Sequence, residues 1–327
     1  MGRTNILRIR KNTEKILSFA RQNRLDSVES LLRFPKYVQI ETSALCNGRC
    51  RMCPTRELER MKGQAIMTDQ VFTRIVRDLR PFAKWIERLT IHGEGEPLCD
   101  LKLEQRIRRL KSIGIKFVAF SSNGSLFTPK RSARILACGV DEVTFSIDGA
   151  TAKTFELIRR PLNFAACIAN IERFIALRNA KRSGTAIRIR MTLQERNRHE
   201  FKDFLSFWRE RLGPKDSAYG KIWHSWANWL KDWRSPEQEG RATLNTSPCI
   251  SPFGTMFILS DGRVSLCCQD FNAKILLGDL REATFKEIWQ GEVISGVRRQ
   301  HLEQGRGVVS LCRDCNLWET SAKLTDK

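Results

Sequence analysis

Cys46-Asn47-Gly48-Arg49-Cys50-Arg51-Met52-Cys53 sets three thiols within eight residues, directly after the strand-like run Tyr37-Val38-Gln39-Ile40-Glu41-Thr42-Ser43. Thiolates this close hold one metal centre but leave it short of a fourth ligand. An iron–sulfur cluster devoted to electron transfer takes four Cys, so a three-Cys site keeps one iron open to a substrate or cofactor. Taken alone, the triplet also fits a zinc site or small buried apolar side chains.

Further along, the strand-like Arg88-Leu89-Thr90-Ile91-His92 runs into Gly93-Glu94-Gly95-Glu96-Pro97. A Gly/Glu/Pro loop is by itself an ordinary turn, although its glycines let backbone approach a ligand closely. Together, the Cys-x3-Cys-x2-Cys loop after one strand and the glycine-rich loop after the next resemble the signatures of the radical S-adenosylmethionine (SAM) superfamily. The resemblance implies a [4Fe–4S] cluster on Cys46, Cys50 and Cys53 whose free iron chelates the amino and carboxylate groups of SAM. One electron then cleaves the sulfonium, and the 5′-deoxyadenosyl radical takes a hydrogen atom from substrate. It further implies that Gly93, Glu94, Gly95, Glu96 and Pro97 meet the SAM amino group, with Glu94 standing where the commonest form has its second glycine. Met52 falls where family members contact the adenine.

With 327 residues the chain has material for about two domains. Lys and Arg number 57 against 36 acidic residues, a net charge of +21, which favours anionic partners and disfavours polycations. No apolar run spans a bilayer and no signal peptide opens the chain, so a cytoplasmic protein is expected. Eleven Cys in such a chain argue for metal rather than disulfides. Cys99, Cys138 and Cys167 stand alone and read as ordinary buried thiols.

Strand-like runs at 37–43, 88–92, 116–122, 142–148, 186–193 and 219–224 alternate with amphipathic stretches at 68–84, 101–113, 129–138, 163–180 and 198–212. That order predicts an α/β chain with a parallel sheet, and the resemblance implies an open (β/α)6 TIM-like barrel over 37–225. Fully covered parallel strands are nearly all apolar. Here Gln39/Glu41/Ser43, Thr144/Ser146/Asp148 and Arg188/Arg190/Thr192 each share a polar face, which predicts a polar lumen, or else solvated edge strands. By resemblance, Ser146 contacts the SAM ribose and Arg188 or Arg190 its carboxylate, while Asn123 closes the third strand nearby. Asp148 is either a substrate-facing acceptor or base, or the N-cap of a helix starting near Thr151.

Residues 1–36 are expected to form a basic helical extension. Residues 1–24 hold seven basic residues and one acid, with Ile6, Ile9, Ile16, Leu17 and Ala20 interleaved. The expectation is a solvated helix packing on the barrel; docking to an anionic partner or membrane is the alternative. Residues 226–248 read as a bridge, and Trp223, Trp226, Trp229 and Trp233 fit one helix face, more in keeping with core than with a ligand platform.

Cys249, Cys267, Cys312 and Cys315 make a second group that could close a tetrahedral zinc site. After the first motif, they resemble the SPASM auxiliary-cluster domain, and more closely its short "twitch" form, because the full form continues with further Cys. This implies a small α+β domain over 249–318, a tail at 319–327, and a second [4Fe–4S] cluster held by all four Cys. Leu259-Ser260-Asp261-Gly262-Arg263-Val264-Ser265-Leu266-Cys267 reads as a hairpin turning at Asp-Gly.

Cys268 follows a cluster ligand yet is spare. In an extended segment it points away from Cys267, and it resembles the hydrogen-donating Cys of aminoglycoside-type epimerases; the plain reading is an inert buried thiol. The sequence therefore favours epimerisation of an anionic carbohydrate with Cys268 and Asp148 as catalytic candidates. Alternatives are a dehydrogenase oxidising a sugar or cyclitol carbinol through the auxiliary cluster, and a ribosomal-peptide modifier. The latter is disfavoured because the residues ahead of the barrel are too few for a leader-binding domain. A flavodoxin- or ferredoxin-type electron donor is implied by the resemblance. A basic zinc-ribbon nucleic-acid binder would need its charge on one module, whereas here the charge is spread.

Overall fold

The computed structural model describes residues 3–222, 224, 226–227, 229, 245–313, 315, 317 and 323–324. Six parallel strands pair in chain order: β1 (Tyr37–Ile40), β2 (Arg88–Thr90), β3 (Val118–Ser122), β4 (Glu142–Ser146), β5 (Ala186–Leu193) and β6 (Ser217–Ile222). This is the open, partial barrel. The strands β7 (Thr255–Ile258), β8 (Arg263–Ser265) and β9 (Leu276–Asp279) extend the same sheet beyond β1. β7 runs parallel to β1, with Tyr37 opposite Thr255, and β8 and β9 follow antiparallel. β10 (Lys323–Leu324) pairs antiparallel with β6 at the other edge.

Two helices precede the sheet, α1 (Arg3–Gln22) and α2 (Val28–Leu32). Those between strands are α3 (Asp69–Leu79), α4 (Leu103–Ser112), α5 (Pro129–Leu136), α6 (Ala152–Ile158), α7 (Phe164–Ala180) and α8 (Phe201–Arg209). α9 (Ser251–Gly254), α10 (Phe285–Gln290) and α11 (Glu292–Glu303) accompany the last strands. Local chemistry sets their starts. Thr68, Thr128 and Thr151 each accept an amide hydrogen at a helix N-terminus, and Thr284 with Glu287 forms a capping box.

β5 shows why one side of the sheet is polar. Ile187, Ile189, Met191 and Leu193 are buried, while Arg188, Arg190 and Thr192 project to the opposite face. The apolar side meets the helices through a ring cluster in which Phe127 lies 4.8 Å from Phe145 and 5.1 Å from Phe174, both edge-on. The polar side encloses the cavity described below, so these strands do not present a solvated edge.

One expectation is extended here and another corrected. α1 packs on the edge of the barrel and on the C-terminal segment together: Ile16, Phe19 and Ala20 bury with Leu31 of α2 and Phe253, and the Phe19 ring lies 6.2 Å from that of Tyr37 in β1. Asn12 Nδ2 donates to the carbonyls of Thr246, His301 and Leu302. The Trp helix face is not formed where it is described, because Trp226 and Trp229 lie in turns and Trp226 has φ +52°. Trp223 and Trp233 lie outside the described residues. Among the described residues no helix is long and apolar enough to cross a membrane.

Candidate active site

β1 delivers the chain through Glu41–Leu45 to the three-Cys loop. That loop is fastened to the end of α6 and the residues just after it: the Arg49 amide donates to the Arg160 carbonyl at 2.5 Å and the Arg51 amide to the Ile158 carbonyl at 3.2 Å. Cys46, Cys50 and Cys53 all line one cavity of about 310 Å³ on the lumen side of the sheet. Burial pushes the Cys46 thiol up to about 12 and Cys53 higher still. Thiols so shielded lose their protons to solvent only when a coordinating metal displaces them. Arg159 lies beside them, with its Nη1 3.9 Å from Cys50 Sγ, and supplies positive charge where thiolates would form.

Glu41 ties the site together. Its buried carboxylate takes the Arg60 guanidinium in a two-pronged ion pair, accepts the Glu94 amide at 3.0 Å and the Ser260 amide at 3.2 Å. Arg60 Nη1 also donates to the Phe271 carbonyl. One side chain therefore joins β1, the cluster loop, the glycine loop and the C-terminal hairpin. This explains the glycines. A Cβ on Gly93 would fall 2.4 Å from Glu41 Cβ, and one on Gly95 would fall 2.3 Å from the Ser43 carbonyl oxygen. Both are pressed against the chain leading into Cys46, a demand of the loop's own packing that the sequence reading assigned to the ligand.

Within Gly93–Pro97, the first four residues line the cavity and Pro97 instead opens a buried turn. The Glu96 carboxylate is committed internally, accepting from Ser122 Oγ at 2.8 Å, the Asn123 amide at 2.8 Å and the Leu98 amide at 3.2 Å. It locks the ends of β2 and β3 together. Glu94 is different: it is half-buried in the cavity wall, and burial, with Glu41 adding, pushes its carboxyl up to about 8.

Ser146 and Arg190 line the cavity and are hydrogen-bonded to each other, with Arg190 Nη2 donating to Ser146 Oγ at 2.8 Å. Arg188 lies one turn of the pleat toward the other end of β5. There it pairs with Glu142 at 2.9 Å and donates to the Lys215 carbonyl. The structure thus offers Arg190, and not Arg188, to a ligand. Asn123 and Met52 line the cavity, and the Met52 carbonyl accepts Trp226 Nε1 at 2.8 Å.

Asp148 fits neither of its two expected roles. Thr151 caps α6, and Asp148 is fully buried off the cavity, accepting from Arg159 Nε and from the Thr192 amide, both at 2.7 Å. It positions Arg159, and through it the Cys50 side of the cluster loop.

In the C-terminal group, burial raises the Cys267 thiol well above its ordinary value, with Cys268, Cys312, Cys315 and Cys249 all within electrostatic reach. Cys268 lines the cavity of Cys46, Cys50 and Cys53, which none of the four expected auxiliary ligands lines, and it stays within electrostatic reach of Cys267 and Cys315.

Several cavity residues escaped the sequence reading, among them His92, Lys221, His224 and Gln269, and Trp226, read there as core, lines the cavity as well. His92 and Lys221 share the strand parity that singled out Gln39 and Arg190, so extending that alternation to β2 and β6 would have found them. His224, Trp226 and Gln269 lie in irregular segments without such a signal.

Comparison with known proteins matches the radical SAM superfamily over residues 40–207 and the iron–sulfur cluster-binding SPASM domain over 249–316. The chain belongs to the radical SAM superfamily and carries a SPASM domain; SAM and [4Fe–4S] clusters are its cofactors. An AdoMet-dependent heme synthase of Methanosarcina barkeri is 24% identical over 85% of this chain and 88% of its own. A GTP 3',8-cyclase of Marinobacter nauticus is 24% identical over 55% of this chain, which spans 52% of that enzyme. Among solved structures, BtrN in complex with AdoMet and 2-DOIA has a TM-score of 0.59 at 18% identity, covering 86% of this chain and 93% of BtrN. Streptococcus suis SuiB has 0.60 at 13%, covering 88% and 72%. At these identities the structural likeness is one of fold.

Proposed function

We propose that this protein inverts a carbon of an anionic carbohydrate, with Cys268 returning the hydrogen atom. The observation that carries the reading is that Cys268 lines the same cavity as Cys46, Cys50 and Cys53, while Cys249, Cys267, Cys312 and Cys315 do not. On this reading Cys46, Cys50 and Cys53 hold the first cluster and the other four hold the second. Arg190, Ser146, Asn123, Met52 and the backbone of Gly93–Glu96 line the space for SAM. Bound SAM and its clusters supply the electron and the hydrogen-abstracting radical.

The chain's own residues do the rest. Burial pushes the Cys268 thiol up to about 11, with Glu94 adding to the shift. It is therefore protonated at neutral pH and has a hydrogen atom to give. The S–H bond breaks, a C–H bond forms on the substrate radical, and a sulfur-centred radical remains on Cys268. One electron and one proton restore the thiol. A flavodoxin- or ferredoxin-type protein is the proposed electron source, the cytoplasm the proposed location, and the excess of 57 basic over 36 acidic residues supports an anionic substrate.

The test is a Cys268→Ala variant assayed in deuterium oxide. The parent should place deuterium at the inverted carbon, because thiol hydrogens exchange with solvent. The variant should still form 5′-deoxyadenosine but no inverted product. A ketone made equally by both would show a dehydrogenase instead.

A further inference from the structure

The cavity holds more positive and donor groups than its own walls satisfy. Lys221 stands on β6 opposite Thr192, and its neighbour on the same strand face, Tyr219, is opposite Arg190. In a parallel pair such partners share a face, so the Lys221 side chain enters the lumen beside Arg190. Gly220 between them turns outward, where Leu193 and Phe201 leave no room for a side chain. Arg190 Nε and His224 Nδ1 are buried without a hydrogen-bond partner, as is Gln269 Oε1. Lys221 has no carboxylate partner among the described residues, and its charged environment is Arg190 and the Cys268 thiol. An ammonium with a guanidinium for its neighbour, and no ion pair among the described residues although Glu94 lines the same cavity, is a costly arrangement unless a ligand completes it.

We propose that Lys221, with His224 and Gln269 around it, forms a subsite for a carboxylate or phosphate group of the substrate, next to the SAM space that Arg190 lines. The inference deepens the epimerase reading and rests on its substrate cavity. Lys221 Nζ would form the ion pair, and Gln269, the residue after Cys268, would accept a hydroxyl of the same molecule at its free Oε1. The anion would thereby hold the substrate against the Cys268 wall. Consistent with an unpaired, enclosed ammonium, burial, with Arg190 adding, lowers Lys221 to about 8.

The test uses anaerobically reconstituted, SAM-loaded protein. Inorganic phosphate should raise the Tm of the parent by binding the folded state. Lys221→Met should lose most of that rise, and Lys221→Arg should keep it. Lys221→Gln replaces the Met variant if the latter fails to load iron. In a second arm, glucuronate and glucose 6-phosphate are compared with glucose by titration calorimetry. At least one anionic sugar should bind the parent about ten-fold more tightly, a difference of about 1.4 kcal/mol that Lys221→Met removes. No phosphate response in the parent, or an equal response in the Met variant, overturns the subsite. A loss of SAM affinity in Lys221→Met matching the phosphate loss also overturns it, because the ammonium would then serve the cofactor's own carboxylate. Success with phosphate but equal binding of all three sugars keeps the subsite and sinks the carbohydrate reading.

Discussion

Arg60, from the loop that follows the three cysteines, holds the Glu41 carboxylate at the exit of β1 in a fork with both side chains closed to solvent. Removing one partner leaves a buried charge uncompensated. Glu41→Gln or Arg60→Met should therefore cost about 3–5 kcal/mol, measured by denaturant unfolding. A loss below about 1 kcal/mol would mean that the pair behaves like an exposed one.

Gly95→Ala should act on the cluster loop before it acts on SAM. The new methyl would overlap the Ser43 oxygen at 2.3 Å and the Ala44 carbonyl carbon at 2.6 Å, both backbone atoms that cannot swing aside. Iron bound at the first site should fall, and the auxiliary iron should remain. Normal iron content with weakened SAM binding would assign the glycine to the ligand instead.

Two clusters predict about eight iron per chain by the usual ligand count. Replacing Cys46, Cys50 and Cys53 together by Ala should leave about half of it and abolish SAM cleavage. Stoichiometric zinc without iron after anaerobic purification would refute the ligand assignment.

Arg190→Ala should weaken SAM binding, while Arg188→Ala should not, since Arg188 is bound to Glu142 and the Lys215 carbonyl away from the cavity. Equilibrium binding of SAM to both reconstituted variants checks this. Equal losses would show that the ion pairs of Arg188 transmit to the site.

His301 predicts an acid limb of stability. It is fully buried, its Nδ1 accepts the Cys249 amide at 3.2 Å, and its Nε2 has no partner. Burial, with Arg306 adding, lowers its pKa from 6.5 to about 4. The unfolded imidazole takes up its proton near 6.5 and the folded one near 4. Stability is thus complete above the upper value and falls as pH drops between them, by up to about 1.4 kcal/mol per pH unit. Denaturation midpoints across this range should show the fall in the parent, and a shallower one in His301→Asn.

Much of this was legible in the sequence. The six parallel strands follow from alternating periodicities, and the polar faces of Gln39, Ser146 and Arg190 foretold a lumen because a pleated strand allows only two directions. Asp148 was misplaced because strand parity says which face a residue takes and not whether a neighbour has already claimed it; Arg159 arrives from beyond α6. Trp226 was misread because its positive φ breaks the helical spacing that sequence alone assumes. The packing of α1 on α11 depends on contacts such as Asn12 with His301, separated by most of the chain, and no local pattern encodes them.

β1 sits between β2 and β7, yet β7 is made more than two hundred residues after it. During synthesis one whole edge of β1 therefore waits unpaired, a template for wrong partners. The clasp around Glu41 is likewise incomplete until Ser260 and Phe271 emerge. The cradle for the first cluster is thus finished by the last quarter of the polypeptide. A chain stopped short of β7 should then be lost to aggregation before it could accept iron, and metal loading becomes a late event in the life of each molecule.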